Sequence, residues 1–562
     1  MASKKEVKTE KLKKISTLRF TIIAIVLIAI FCVAITPIEL QNDTFYTIKI
    51  GELITNNGID MNDHFSWHQN LPYTYPHWLY DLCTYGIYSV FNFSGIYVMT
   101  CILSAILGIS IFLVNSKLSK NNVISFFVTI GAMYLLKGYI TARAQLVTFT
   151  LFIISIYLIE TFLKDKKIIY GICLVLISLL IANLHCAVWP FFFVLFLPYI
   201  GEYIVALIAE IVLYNKIKTI FFDLRIKILS KKVGNNKKIE ELQKKLKNIT
   251  EKNEKIKIKR LEKTKNPYKI RMEKNNNVKW LILIMGICAL MGFLTPIGDT
   301  PFTYLYKTMQ GNSTKNINEH LPMTLANQAE IICTLVVFLA ILIFTKVKIK
   351  LTDLFMIGGL TYLMFVSKRQ ETVFAIIGSV ILSKMIVELI ETYTKSGTIS
   401  MKKFFNIPPI ILLVTLLSLS LSWYFGKDRG KEKIINESSY PVKACDYIVE
   451  NIDIKNARFF NDYNYGSYML YRGIPVFIDS RCDLYTPEFN GRTDDIFMEF
   501  INTSGLGNFY EDTFKKYDIT HLITFKNSKI NMIIIKTQDV NYKELYSDDN
   551  FVVYQRLDIT NK

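Results

Sequence analysis

Apolar residues recur along this chain in uninterrupted runs of about 18–20, divided by short polar connectors. This is the length a helix needs to cross a hydrocarbon core roughly 30 Å thick. The runs fall at 20–40, 95–115, 122–139, 145–163, 168–184, 187–214, 280–296, 325–345, 351–367, 372–391 and 407–425. They predict a polytopic α-helical membrane protein with about 11 transmembrane helices. The run HWLYDLCTYGIYSVFNF, residues 77–93, is shorter, amphipathic and rich in tyrosine and tryptophan. That composition predicts a helix lying in the membrane interface rather than crossing it.

The charges agree with eleven crossings. With the N-terminus in the cytoplasm, the inner connectors are NSKLSKNN, KDKK, the 215–279 insert, TKVKIK and TYTKSGTISMKK, and every one is basic. Positive charge on inner loops is the rule for membrane proteins. Counting 77–93 as a further span would put KDKK and the insert outside. The start, MASKKEVKTEKLKKISTLRF, is basic, but no small-residue cleavage site follows its apolar run, so a retained first helix is expected.

The outer side then receives Asp43, His64, His68, His77, Asp81, Arg143, His185, Asp299, Glu319, His320, Lys368, Arg369 and Glu371; His521 completes the six histidines. So many polar groups on one face, against basic anchors on the other, predict a site at the outer membrane–water boundary.

Two appendages interrupt this plan. Residues 215–279 are lysine-rich and of low complexity, which predicts a cytoplasmic helical excursion or a disordered segment without a catalytic role, suited to anionic headgroups. From 426 to 562 an α/β pattern appears: ARFFND, PVFIDS, HLITF, MIIIK and FVVYQR read as strands, YPVKACDYIVENI and TFKKYD as helices. The chain thus divides into a basic tail (1–19), a transmembrane module (20–214) with a first outer loop (41–94), the insert (215–279), a second transmembrane module (280–425) and an extracytoplasmic α/β domain (426–562). In NDYNYGSYMLYRGIPVFIDSRCDLY, the polar side chains suit either sugar contacts or turns and caps.

Composition adds exclusions. The net charge of +19 lies mainly in the tail and the insert, where it anchors to a membrane and does not point to nucleic acid. Nine cysteines show no metal-ligand spacing and read as small buried residues; Cys445 and Cys482 are the pair that a disulfide would join. The Lys-, Ile- and Asn-rich composition points to an AT-rich bacterial genome.

The order of the motifs is itself informative. DTFYTIKIGELITNNG (43–58), FSW (65–67), YPHWLYDLCTYGIYSVFNFSG (75–95), TARAQ (141–145), NLH (183–185), INE (317–319) and FNDYNYGSY (460–468) follow one another through most of the chain outside the insert. This layout resembles the GT-C superfamily of membrane glycosyltransferases, in its bacterial protein-mannosyltransferase and aminoarabinose-transferase branch. It is most similar to a multi-span bacterial group with a C-terminal extracytoplasmic domain. The resemblance implies transfer of a sugar from a polyprenyl-phosphate carrier to a cell-envelope glycan, lipid or protein acceptor at the outer face. It implies that Asp43 is the catalytic carboxylate, as general base or as the group orienting the acceptor hydroxyl. Arg143 and the Lys368–Arg369 pair suit the donor phosphate, with His77, Asp81, His185, Asp299, Glu319 and His320 as supporting polar groups.

Two departures stand out. Thr44 occupies the place of a second acid, and TARAQ lacks the acid found in many relatives. Asp81, Asp299 and Glu319 are then the candidate second carboxylates. No metal site is expected from motif; if a divalent metal takes part, His64, His68 and His77 are its candidate ligands, the first two four apart as on one helical face. A transporter or flippase of a lipid-linked envelope precursor, or a non-catalytic envelope assembly protein, is the alternative reading.

Overall fold

The computed structural model describes residues 4–213, 216–230, 236–262, 269–324, 328–394 and 408–558. Long helices dominate: α1 (Lys4–Ile35), α2 (Asn42–Asn57), α3 (Trp78–Ser119), α4 (Asn122–Leu135), α5 (Gln145–Asp165), α6 (Ile168–Leu184), α7 (Trp189–Val194) and α8 (Leu197–Leu213). After the insert helices α9 (Lys216–Leu229) and α10 (Asn236–Glu262) come α11 (Val278–Leu290), α12 (Thr300–Gln310), α13 (Ser313–Asn316), α14 (Ala329–Phe344), α15 (Leu351–Val366), α16 (Glu371–Thr394) and α17 (Pro408–Gly426).

Five segments, Leu18–Ile35, Trp78–Ser119, Gln145–Asp165, Cys186–Val212 and Lys368–Thr394, are long and apolar enough to cross a membrane. Shorter apolar helices stand at Asn122–Leu135, Ile168–Leu184, Val278–Phe293, Ala329–Phe344 and Leu351–Val366. The protein is a multi-pass membrane protein. One face of each of the apolar helices closes a shared core around Phe31, Phe112, Phe126, Phe152, Phe192 and Phe374, while residues such as Leu113, Leu176, Leu283 and Leu416 remain exposed on the outside. Apolar side chains on both faces are what a lipid-embedded bundle requires.

Several boundaries differ from the expected runs. The 77–93 and 95–115 segments form one helix assignment, broken at Asn92, whose φ of 54° and ψ of −156° are not helical. The expected span 187–214 is divided between α7 and α8, and 122–139 ends in a 3₁₀ turn at Lys137–Tyr139. Part of the expected span 325–345 lies outside the described residues. The insert forms α9 and α10, whose surfaces are mostly exposed; α10 carries an ion pair along its own face, Lys245–Glu241 at 2.6 Å. After α10 comes β1 (Ile270–Arg271), paired in parallel with β2 (Ile349–Lys350).

A second apolar core lies beyond the bundle and joins the first loop to the C-terminal part. Its sheet has the order β3-β4-β6-β5, from β3 (Phe459–Phe460), β4 (His521–Phe525), β5 (Tyr542–Ser547) and β6 (Phe551–Arg556). β3 runs parallel to β4, and the β4–β6 and β6–β5 pairs are antiparallel. Phe45 of α2 packs edge-on against Tyr440 and Tyr468, with ring centroids 5.0 Å apart in each case, the geometry aromatic quadrupoles favour.

Two expected strands are corrected here. MIIIK lies in a helix, Lys529–Thr537, because Ser528 caps its N-terminus by accepting from the Asn531 N–H, and the buried Ile530 and Ile534 recur at helical spacing. PVFIDS is an irregular extended segment. Its Val476 bridges in parallel to Ser66 of the first loop, and the helix Tyr463–Tyr471 lies so close to it that a Cβ on Gly466 would overlap the Ile478 carbonyl.

Candidate functional site

A cavity of about 1340 Å³ opens between the bundle and the second core. Its walls come from the start of α2, the 72–77 segment, the loop before α5, the α6–α7 turn, α12 and α13, the 317–322 segment, the turn before α16, and the 480–484 segment of the C-terminal part. Asp43, His77, Arg143, His185, Glu319, His320 and Arg369 all line it. Their separation along the chain is removed because each sits at or beyond the same end of a helix.

Arg143 is the centre of this group. Its Nε lies 2.8 Å from Asp43 Oδ2, and its Nη1 lies 3.4 Å from Glu319 Oε1. One guanidinium thus spans two carboxylates, Asp43 at the start of α2 and Glu319 in a segment 176 residues after Arg143, through two separate nitrogens of its planar fork. Burial works against the Arg143 charge, but Asp43 and Glu319 outweigh it and hold its pKa above the ordinary value. Burial likewise opposes ionisation of Glu319, and Arg143 and Arg369 overcome it, so its carboxyl stays below the usual range. His320 is pushed down by burial and by Arg369, which favours the neutral ring. Arg369 donates through Nη2 to Gln145 Oε1 at 3.2 Å, and its backbone N–H donates to the Glu319 carbonyl at 2.9 Å. That contact holds the 317–321 segment over the turn before α16.

His77 is the N-cap residue of α3. Its Nε2 is 3.0 Å from the Tyr46 hydroxyl and its Nδ1 is 2.7 Å from Asp81 Oδ1. Asp81 is fully buried beneath it. On the neighbouring wall the His185 Nδ1 faces Thr148 Oγ1 at 3.2 Å.

Other expected residues lie elsewhere. Lys368 does not line the cavity, although Arg369 beside it does; the Lys368 backbone N–H ties down Leu321 by donating to its carbonyl at 2.9 Å. Asp299 is the N-cap position of α12 and is also off the wall. His64 and His68 do not share a helical face, because 58–77 contains no helix and Met61, Asn70 and Tyr75 take positive φ. His64 pairs with Asp60 at 2.6 Å. His68 is buried against the Phe477 carbonyl, and burial lowers its pKa to about 4. Among the described residues no three His, Cys, Asp or Glu side chains group to hold a metal ion. Cys445 and Cys482 are both free thiols.

Some wall residues carry little signal in the sequence. Tyr46, Gln145, Tyr304, Tyr463, Arg481 and Asp483 also line the cavity. Asp483 accepts from Tyr304 and Ser313 at 2.8 Å and from Thr308 at 3.1 Å, which fastens α12 and α13 to the C-terminal part. The NDY motif serves as turn and cap, and it also reaches the cavity. Asn461 accepts from the Phe477 N–H and donates to the Ile478 carbonyl, Asp462 caps the following helix, and Tyr463 reaches the cavity wall.

No protein-family model matches the chain, and no curated protein does. Among solved structures, the chain is similar to the archaeal oligosaccharyltransferase AglB from Archaeoglobus fulgidus, in complex with an inhibitory peptide and a dolichol-phosphate. The TM-score is 0.51 at 11% identity, over 95% of this chain and 74% of that one. The likeness is one of fold.

Proposed function

We propose that this protein is a GT-C-type membrane glycosyltransferase that moves a sugar from a polyprenyl-phosphate-linked donor to a cell-envelope acceptor at the outer face. The observation that carries the reading is Arg143 spanning Asp43 and Glu319 within a cavity that also receives Arg369. Cations at a membrane-edge cavity suit a donor whose leaving group is a phosphate gaining negative charge. Asp43 is the carboxylate that holds the acceptor hydroxyl. Its ion pair with Arg143 holds the carboxylate in place, which suits it to orienting the acceptor. Arg143 and Arg369 bind the donor phosphate, and Lys368, off the wall, has no role. The fold neighbour, solved with a dolichol-phosphate and an inhibitory peptide, supports a lipid-linked phosphate donor and a second substrate.

Eleven crossings, with a cytoplasmic N-terminus and an extracytoplasmic C-terminal domain, complete the proposal. The contact between the end of α1 and the residues after α17 supports it. Arg429 Nη2 donates to the Thr36 carbonyl at 2.6 Å, so both helices end on the side that carries the cavity.

The test is Asp43→Asn in a strain lacking the chromosomal copy, with envelope glycans measured by mass spectrometry at matched protein level. Loss of the glycan that the wild-type chain restores is expected. Transfer at a near wild-type rate removes the catalytic assignment.

A further inference from the structure

Residues outside the expected pair of acids supply a route for a proton. Tyr46, His77 and Asp81 form a continuous chain from the cavity wall into the protein: hydroxyl to imidazole at 3.0 Å, imidazole to carboxylate at 2.7 Å. Tyr46 and His77 face the cavity, and Asp81 is fully buried. A carboxylate on Nδ1 fixes that nitrogen as the N–H donor and leaves Nε2 to accept, so the Tyr46 hydroxyl donates to it. This is the arrangement in which an imidazole takes a proton from a hydroxyl while an acid behind it holds the ring and stabilises the imidazolium.

The arrangement depends on how α2 crosses α3. Gly51 lies against the first turn of α3, where a Cβ would overlap the Asp81 carbonyl oxygen and Tyr85 Cβ. Only a residue without a side chain lets the helices approach this closely, and Tyr46 lies little more than one turn earlier on α2, within reach of His77.

We propose that His77, acting through Tyr46 and held by Asp81, is the proton acceptor for the transfer reaction, and that Asp43 positions the acceptor. This rests on the transferase reading. The acceptor oxygen forms its bond to the anomeric carbon as the bond from that carbon to the donor phosphate oxygen breaks. The polyprenyl phosphate leaves with the electron pair. The acceptor's proton passes to the Tyr46 oxygen while the Tyr46 proton passes to His77 Nε2, leaving Tyr46 neutral and His77 an imidazolium beside the Asp81 carboxylate; that proton then returns to solvent through the cavity.

The groups facing His77 are Asp81 from α3, Asp43 and Tyr46 from α2, Arg143 from the loop before α5, and His185 from the end of α6. Burial alone would lower the His77 pKa, and Asp81 outweighs it, raising it above the ordinary 6.5. Burial, with Asp43 next, pushes the Tyr46 phenol far above its usual range, so it relays a proton and does not rest as phenolate.

The experiment uses membranes from cells carrying the full chain, opened by freeze–thaw so that buffer reaches both faces. Their endogenous lipid-linked sugars serve as donor, and glycan formed is quantified by mass spectrometry between pH 5.5 and 8.5. Wild-type rate should rise with pH along a single limb centred above 6.5, falling about tenfold per unit on its acid side. Tyr46→Phe, which removes one oxygen, should cut the plateau rate by about a hundredfold at equal protein level and melting temperature. His77→Gln should abolish the limb, and Asp81→Asn should shift it to lower pH. Tyr46→Phe retaining more than half the rate, or a His77→Gln limb identical to wild type, overturns the proposal and leaves the transferase reading standing. A wild-type chain that forms no glycan beyond the deletion strain overturns both.

Discussion

Arg481 and Asp63 are 418 positions apart in the chain, yet their side chains meet at 2.7 Å with almost no exposure. Arg481 also contacts Asp479 at 2.7 Å, and the Tyr485 hydroxyl donates to the same Asp479 oxygen at 2.6 Å. This network fastens the first loop to the C-terminal part, and its Arg481 lines the cavity.

Breaking it should be costly. Asp63→Asn leaves a buried guanidinium with one partner fewer, and removing one member of a buried pair costs about 3–5 kcal/mol. A fall in the melting temperature of detergent-solubilised protein is the expected result. Burial by itself would raise the Asp63 pKa, but Arg481 holds it below the usual carboxylate range. Since the folded-state value lies below the unfolded one, the stabilisation is complete above the unfolded value of about 3.9 and is lost as pH falls through the folded value. Melting temperature should therefore be flat down to that region and then drop, and Asp63→Asn should flatten part of the drop.

Arg143→Lys keeps the charge but replaces two separate nitrogens, one toward Asp43 and one toward Glu319, by a single ammonium. Transfer should fall by about tenfold or more, because a planar fork is replaced by a point charge. Envelope glycan per unit of protein is the measurement, and melting temperature the control.

Gly51→Ala places a methyl against the Asp81 carbonyl. Overpacking of this kind costs about 1–3 kcal/mol. The larger effect should be on glycan formation, since moving α2 away from α3 separates Tyr46 from His77. Gly86→Ala, inside α3 where nothing stands near the added Cβ, supplies a comparison that keeps the α2–α3 crossing intact.

Excision of residues 217–262 with a short Gly-Ser joint should leave glycan formation within about twofold of wild type, as expected for an exposed excursion. The helices α9 and α10 contribute no residue to the cavity wall. Residues from 269 onward must be kept, because Lys269 donates to the Leu342 and Ile343 carbonyls and β1 pairs with β2.

The positions of the apolar helices were legible in the sequence, because run length and the thickness of a bilayer are directly comparable. Asp43, Arg143, Glu319 and Arg369 were legible too, as polar residues at the ends of such runs. Their order was not enough to separate them from Lys368 and Asp299. Whether a residue at a helix end faces the cavity depends on the rotation of that helix, and neighbouring residues such as Lys368 and Arg369 point in different directions.

MIIIK misled for a related reason. A short run of β-branched residues is equally a buried strand or a buried helix face, and the cap at Ser528 decided it. A multi-pass membrane chain with a polar set at helix ends can be read from the residues alone, since both follow from local composition. That Arg143 joins Asp43 to Glu319, that Arg481 joins Asp63 across 418 positions, and that Tyr46 meets His77 emerges from the folded arrangement. Those meetings depend on helix crossings and on a close approach at one glycine, and distance along the chain carries no record of either.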